Sequence, residues 1–257
     1  MMLTGRVRQW MCFITLAVVL VVNFLATALS LGGTATGELA REFDVLFLPA
    51  GYVFSIWGLI YLLAIAFSVY QALPRHRDER DLDRIGTAFC ISNAANVLWL
   101  VFFHYRLTAL SLVAMTVLLG ALIYIFVLIS PGETFGPGAR LWLVHVPFGI
   151  YLGWVSVATV ANVTQVLEIA GLSGGLFGDV GWTIVAFAVV VFLSWFMSVR
   201  FTNLPHAAVV IWALIGIAVE QSHVEPVALG AIVAAVLVAL GFLGVLGLKR
   251  PCGPFVV

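Results

Sequence analysis

Charged residues are scarce in this chain of 257 residues, since only 9% are Asp, Glu, Lys or Arg, against about 25% in an average soluble domain. Hydrophobic residues make up 63%, and the mean hydropathy is +1.15. A soluble fold of this length would have to expose much of that apolar surface to water. The composition excludes a soluble enzyme and a disordered chain, and it predicts a polytopic α-helical membrane protein in contact with the lipid bilayer.

Cysteine is also rare, and its odd count of 3, without metal-type spacing, excludes a disulfide framework and predicts no metal site. The 12 basic residues balance 12 acidic ones, and no basic stripe is present, so nucleic acid is not an expected partner. The sequence lacks a nucleophile elbow, a phosphate loop and a carboxylate pair within an apolar run. We therefore expect a protein that is not an enzyme, with no catalytic residues.

Long apolar runs are what the sequence has in abundance, and each is close to the ~20 residues that cross a bilayer. We interpret the first run as a retained helix rather than a signal peptide, because it is long for a signal sequence. The connections are short and either polar or rich in Gly and Pro. The pattern predicts an all-α transmembrane bundle of about eight spans. These spans cover residues 10–31, 50–72, 86–104, 107–130, 141–165, 181–199, 205–221 and 227–248.

The distribution of Arg and Lys predicts the orientation of the spans. With the N-terminus in the cytoplasm, only Arg41 and Arg106 fall outside, and every other Arg and Lys falls on the cytoplasmic side. Such a bias is typical of cytoplasmic loops. We therefore expect a multi-pass protein of the cell (inner) membrane with both termini in the cytoplasm.

Three polar and aromatic sets stand out, because Asn, Tyr and Trp within an apolar span usually face the bundle interior. Residues three or four apart share a helix face. Each set alone is compatible with helix packing, with amide hydrogen bonds between helices or with an interfacial aromatic belt. The sets are Phe54, Trp57 and Tyr61 in the second span, Asn96 and Trp99 in the third, and Tyr151, Trp154, Ala158 and Asn162 in the fifth.

The predicted topology places these sets at matching depth. The second span runs inward while the third and fifth run outward, so most of the set members fall in the outer half of the membrane. This coincidence favours one ligand pocket over separate packing contacts. Its predicted lid is the loop 31–48, which carries Glu38, Glu42 and Asp44.

The same residues give the chain a family resemblance. Pro49, Phe54, Trp57 and Tyr61 match a Pro-x-x-x-x-Phe-x-x-Trp-x-x-x-Tyr pattern, Asn96 and Trp99 precede a Phe pair at 102–103, and Trp154, Ala158 and Asn162 keep a spacing of four. In this order the motifs resemble those of the tryptophan-rich sensory protein family, also called the translocator protein family. The resemblance covers residues 1–165 as a five-helix core. Residues 166–257 are then three additional transmembrane helices and a short cytoplasmic tail.

The resemblance implies a membrane sensor or binding protein for a flat, hydrophobic small molecule. The ligand that it implies is a tetrapyrrole, either a porphyrin or haem, and no other cofactor is expected. The three sets named above are the ligand-binding residues in this hypothesis. The resemblance also implies a homodimer and a role in signalling. The alternative is a transporter or permease for a small hydrophobic or amphipathic substrate, for which eight helices suffice.

Overall fold

The computed structural model describes residues 2–28, 36–129, 138–172 and 178–248, and all regular structure within these ranges is helical. A 3₁₀ turn, Gly51–Ser55, precedes α3, and a π-helical turn, Leu141–His145, leads into α6. The helices are α1 (Gly5–Ala28), α2 (Thr36–Arg41), α3 (Ile56–Ala72), α4 (Arg80–His104), α5 (Thr108–Leu128), α6 (Val146–Ile169), α7 (Gly178–Phe201), α8 (Leu204–Glu220) and α9 (Glu225–Leu248).

Eight of these helices are apolar, which confirms the predicted all-helical bundle. Seven are long and apolar enough to cross a membrane. The eighth, α8, has 17 residues, or about 26 Å at the α-helical rise of 1.5 Å per residue. It is the segment that the sequence marks as the shortest predicted span, 205–221.

The structure differs from the sequence-based boundaries in the first two connections. The helix α4 begins at Arg80 rather than residue 86, and acidic Asp81 and Asp83 lie in its first turn, where they interact favourably with the helix dipole. The predicted lid loop contains a helix, α2, that apolar periodicity does not reveal because it is only 6 residues long. Pro49, which opens the aromatic pattern of the second span, precedes the 3₁₀ turn that begins at Gly51.

The chain packs as two compact units. Unit 1 consists of Met1–Thr36 and Trp57–Leu152, and unit 2 of Gly37–Ile56 and Gly153–Val257. The predicted division at residue 165 concerns family resemblance rather than contacts, and it stays a prediction.

Unit 1 has an aromatic core and a polar contact line between α1 and α4. In the core, Phe67 packs edge-on against Phe148 and Phe89, with ring centroids 4.8 and 5.1 Å apart. Along the α1–α4 line, α1 residues pair with α4 residues in ascending order. The two helices are therefore parallel, as the topology predicts for the first and third spans. The pairs are Arg8–Asp83, Cys12–Cys90, Thr15–Asn93 and Asn23–Asn96.

Arg8 begins this line and is fully buried. Its Nε donates to Gln71 Oε1 at 3.2 Å. Its Nη1 donates to Asp83 Oδ1 at 2.7 Å and to the Glu79 carbonyl at 3.2 Å. Its Nη2 donates to the carbonyls of His76 and Gln71 at 2.6 and 3.4 Å. These acceptors match the five N–H groups of a guanidinium, so Arg8 joins α1 to α3, α4 and the turn between them.

Unit 2 contains residues 153–169 of α6, the helices α7, α8 and α9, and the segment 37–56. Glycines allow close approach within it. The Ala50 amide donates to the Gly216 carbonyl at 3.1 Å. A Cβ atom at Gly216 would lie 2.2 Å from Val53 Cγ2. Trp195 Nε1 donates to the Leu237 carbonyl at 2.8 Å across α7 and α9. Small residues at such crossings are typical of membrane helices that approach closely.

Candidate functional site

A stack of four aromatic rings lies within unit 1. The Trp57 ring, from α3, stacks on Tyr61 at 5.5 Å and on Trp99 of α4 at 5.8 Å, with ring planes within 21° and 27°. Trp99 stacks in turn on Phe103 at 5.6 Å and 21°. The spacing of four between Trp57 and Tyr61, and between Trp99 and Phe103, places each pair on one helix face. The stack therefore joins an α3 face to an α4 face.

A buried amide lies beside this stack. Asn96 is fully buried, its Nδ2 donates to the Tyr151 hydroxyl at 3.1 Å, and its Oδ1 accepts from Asn23 Nδ2 at 3.3 Å. The Tyr151 ring meets Trp57 edge-on at 6.0 Å. The structure thus brings together Trp57, Tyr61, Asn96, Trp99 and Tyr151, all of them predicted site residues, while their role in binding stays a prediction.

Asn23 and Phe103 belong to this cluster although they are not among the predicted site residues. Asn23 is a lone amide inside an otherwise apolar span, and that rarity is the signal by which it could be found. Asn93, which shares a face with Asn96 in the sequence pattern, bonds instead to Thr15 Oγ1 at 3.0 Å. Asn93 thus forms a hydrogen bond between two helices, which is the alternative that the sequence left open to a ligand contact.

The remaining predicted site residues lie in unit 2. Phe54, in the 3₁₀ turn, meets Trp154 of α6 edge-on at 5.7 Å. Asn162 is buried, and its Nδ2 donates to Gln165 Oε1 at 3.3 Å. Ala158 is half-buried on the same helix. Phe54 does not belong to the α-helix α3 with Trp57 and Tyr61, because α3 begins only at Ile56.

The predicted lid segment is held within unit 2 by an ion pair. Arg41 Nε donates to Glu220 Oε1 at 2.9 Å, and its Nη1 donates to the Gly37 carbonyl at 3.3 Å. The bond to Glu220 raises the pKa of the Arg41 guanidinium above its ordinary value. Both side chains are partly exposed, so the pair contributes at most about 1 kcal/mol. Residues 31–35 of the predicted lid lie outside the described ranges.

A small cleft in unit 2 has a different lining from the predicted site. Its cavity volume is about 20 Å³, room for about one water molecule. Phe47 and Trp182 line it together with the carboxylate residues Asp44, Glu168 and Asp179. None of the predicted aromatic or amide residues contributes to its wall, so it is not the predicted ligand pocket.

The outer surface defines the class of protein. Large apolar side chains such as Leu62, Phe192 and Leu243 are 63%, 67% and 60% exposed, on helices long enough to span a bilayer. Such a surface is stable only in contact with lipid. The chain is therefore a multi-pass α-helical membrane protein.

The chain belongs to the TSPO-like protein family, whose model matches residues 9–244. The match continues past residue 165 through α7 and α8 and into α9. The family resemblance expected from the motifs is confirmed, and its extent is larger than the motifs alone indicate. No curated protein and no solved structure matches the chain.

Proposed function

We propose that the chain binds a flat, largely apolar small molecule of the tetrapyrrole class at the aromatic cluster of unit 1, and that it acts as a sensor. The observation that carries the proposal is the ring stack of Tyr61, Trp57, Trp99 and Phe103 beside the buried Asn96 amide. Aromatic faces stack on a planar macrocycle, while a few placed polar groups orient it.

Two details of the cluster support this assignment. Trp57 and Tyr61 are only half-buried, so part of each ring is within reach of a ligand. Trp99 is 6% exposed, and among the described residues no acceptor lies within hydrogen-bonding distance of its Nε1. A buried donor without a partner costs roughly 1–3 kcal/mol, and an acceptor on the edge of a ligand would remove that cost.

We also propose which membrane contains the protein and that the protein does not chemically convert its ligand. We place the protein in the cell membrane with both termini in the cytoplasm, as the Arg and Lys distribution predicts. We propose that the bound tetrapyrrole is released chemically unchanged, which chromatography of recovered ligand after incubation in the dark would test. The expected homodimer stays a prediction.

The experiment is a titration of the detergent-purified chain with protoporphyrin IX and with haem. The readouts are quenching of tryptophan fluorescence and the absorbance of the ligand. We expect Trp57→Ala to weaken binding at least about tenfold, or 1.4 kcal/mol, because Trp57 contacts three other rings of the cluster.

Two further variants show whether a loss of affinity in Trp57→Ala is specific to the aromatic cluster of unit 1. Trp10→Ala is the matched control, since Trp10 is a tryptophan of unit 1 that is 68% exposed on α1. Trp154→Ala tests the aromatic pair of unit 2 in the same titration. Unchanged affinity in Trp57→Ala, in a protein that keeps its helical content, would contradict the assignment. Substrate flux into proteoliposomes without saturable binding would favour the permease alternative.

A further inference from the structure

Two thiols from distant parts of the sequence meet within unit 1. Cys12 lies on α1 and Cys90 on α4, 78 residues apart, and their Sγ atoms are 3.9 Å apart. Both are free cysteines in the structure. Cys12 is fully buried and Cys90 is 8% exposed. We propose that this pair is an oxidation site, which an uncharged peroxide converts to a disulfide that joins α1 to α4.

The surrounding contacts hold the two sulfur atoms opposite each other. Arg8 bonds to Asp83 on one side of the pair, and Asn93 bonds to Thr15 on the other. Because the contacts on both sides join the same two helices, neither helix can slide or rotate without breaking a hydrogen bond. The α1–α4 contact line therefore holds the two helix backbones together at this level, and the side-chain rotamers set the remaining separation of the thiols.

Gly86 leaves the space that Cys12 occupies. A Cβ atom at Gly86 would lie 3.3 Å from Cys12 Sγ and 2.7 Å from Arg8 Cγ. With no side chain at this position, α1 approaches α4 closely enough for a sulfur contact. A disulfide has an S–S bond of about 2.0 Å, so the two sulfur atoms have to approach by about 1.9 Å. That distance can be divided between rotation of the two side chains and a small movement of the helices.

The chemistry balances with hydrogen peroxide as the oxidant. Cys90, the more exposed thiol, gives up its proton as its sulfur attacks one peroxide oxygen and the O–O bond breaks. The departing hydroxide takes up that proton to form water, and a sulfenic acid remains. The sulfur of Cys12 then attacks the sulfenic sulfur, the S–O bond breaks, and a second water leaves. Two thiols and one peroxide thus give one disulfide and two waters, with each sulfur oxidised by one electron and each peroxide oxygen reduced by one.

The buried position of the two cysteines determines which oxidants and reductants can reach them, because charged reagents are excluded from it. Cys90 lies four residues after the start of the predicted apolar span at residue 86, or about 6 Å along α4, and it is only 8% exposed within the bundle. Charged thiols are excluded from that depth by the cost of burying their charge. An uncharged peroxide is not excluded in this way. We therefore expect the disulfide, once formed, to resist charged reductants until the bundle unfolds.

The test uses the full chain with Cys252→Ser in lipid nanodiscs, so that Cys12 and Cys90 are the remaining thiols. Reduced protein is exposed to hydrogen peroxide, unfolded, alkylated with N-ethylmaleimide and examined by intact-mass and peptide mass spectrometry. We expect both alkylation sites to disappear together, with one cross-linked peptide that contains residues 12 and 90. A charged thiol reductant should restore both sites only after unfolding.

Matched variants separate proximity from general thiol reactivity. Adding Cys90→Ser and Ile91→Cys moves the second thiol by one residue to a position where the native side chain is 49% exposed, and no cross-link to Cys12 is expected. Alkylation of both Cys12 and Cys90 after peroxide treatment would overturn the proposal. Independent oxidation of each sulfur without a cross-link, or a disulfide between two copies of the chain, would overturn it equally.

Discussion

Replacing Arg8 by methionine is expected to destabilise the folded chain by about 3–5 kcal/mol, the largest effect among these predictions. Methionine keeps much of the side-chain volume but provides none of the hydrogen bonds that Arg8 donates. The variant leaves the Asp83 carboxylate, whose side chain is 9% exposed, without its cation. It also removes the Arg8 hydrogen bonds to the carbonyls of Gln71, His76 and Glu79. The Gln71 and Glu79 carbonyls still accept from the Gln9 side chain and the Asp83 amide. Unfolding in mixed micelles with increasing SDS would measure the loss.

Three comparison variants make this prediction specific. Arg6→Met changes an exposed arginine of the same helix, and we expect a change within about 0.5 kcal/mol. Arg8→Lys keeps the charge but offers three N–H donors instead of five, so it should recover only part of the stability. In Arg8→Met with Asp83→Leu, no buried carboxylate is left unpaired, and we expect a coupling energy of about 0.5–3 kcal/mol. Strict additivity of the two changes would contradict an ion pair of structural importance.

Replacing Gly216 by alanine is expected to destabilise unit 2 by about 1–3 kcal/mol. The added methyl carbon would lie 2.2 Å from Val53 Cγ2 and 3.3 Å from Pro49 Cβ, so the segment 49–53 has to move away from α8. That movement weakens the bond from the Ala50 amide to the Gly216 carbonyl. The same SDS titration, or the thermal midpoint of the helical circular dichroism signal, would measure the change.

The control for this glycine lies on α9. A Cβ atom at Gly244 meets no atom within 4 Å, so Gly244→Ala should be neutral or stabilising by up to about 1 kcal/mol through helix propensity. Since Val53 supplies the closest atom, adding Val53→Ala to Gly216→Ala should relieve the overlap. If Gly216→Ala and Gly244→Ala have the same effect, the close packing at Gly216 is not a source of stability.

The apolar helices of this protein are predictable from the sequence, because hydropathy alone identifies the segments that form them. Seven of the described helices are long and apolar enough to span a bilayer, and a spanning segment has to satisfy its own backbone hydrogen bonds. The start of α4 at Arg80 and the helix α2 are not predictable in this way. Charged residues stand in both segments, Asp81 and Asp83 at the start of α4 and Glu38 and Arg41 in α2, so hydropathy does not identify either as helical.

The candidate site is predictable only within single helices. Spacing places Trp57 with Tyr61 and identifies Asn96, Trp99 and Tyr151 as unusual residues in apolar spans. The same spacing of four places Phe103 with Trp99 on one face of α4, although Phe103 is not among the predicted site residues. Spacing does not reveal that Asn23 reaches Asn96, since that contact depends on how α1 packs against α4. Phe54 shows a further limit, because a 3₁₀ turn replaces the expected α-helical turn at its position.

The short helix α8 has a consequence for the surrounding lipid. Its 17 residues extend about 26 Å, whereas the 24 residues of α9 extend about 36 Å, against a hydrocarbon thickness of about 30 Å. No single bilayer thickness matches two neighbouring helices that differ by about 10 Å. Tilting accommodates the longer helix, but the shorter one requires a locally thinner bilayer. The protein is therefore expected to deform the membrane on the α8 side and to be more stable among lipids with short acyl chains than among lipids with long ones.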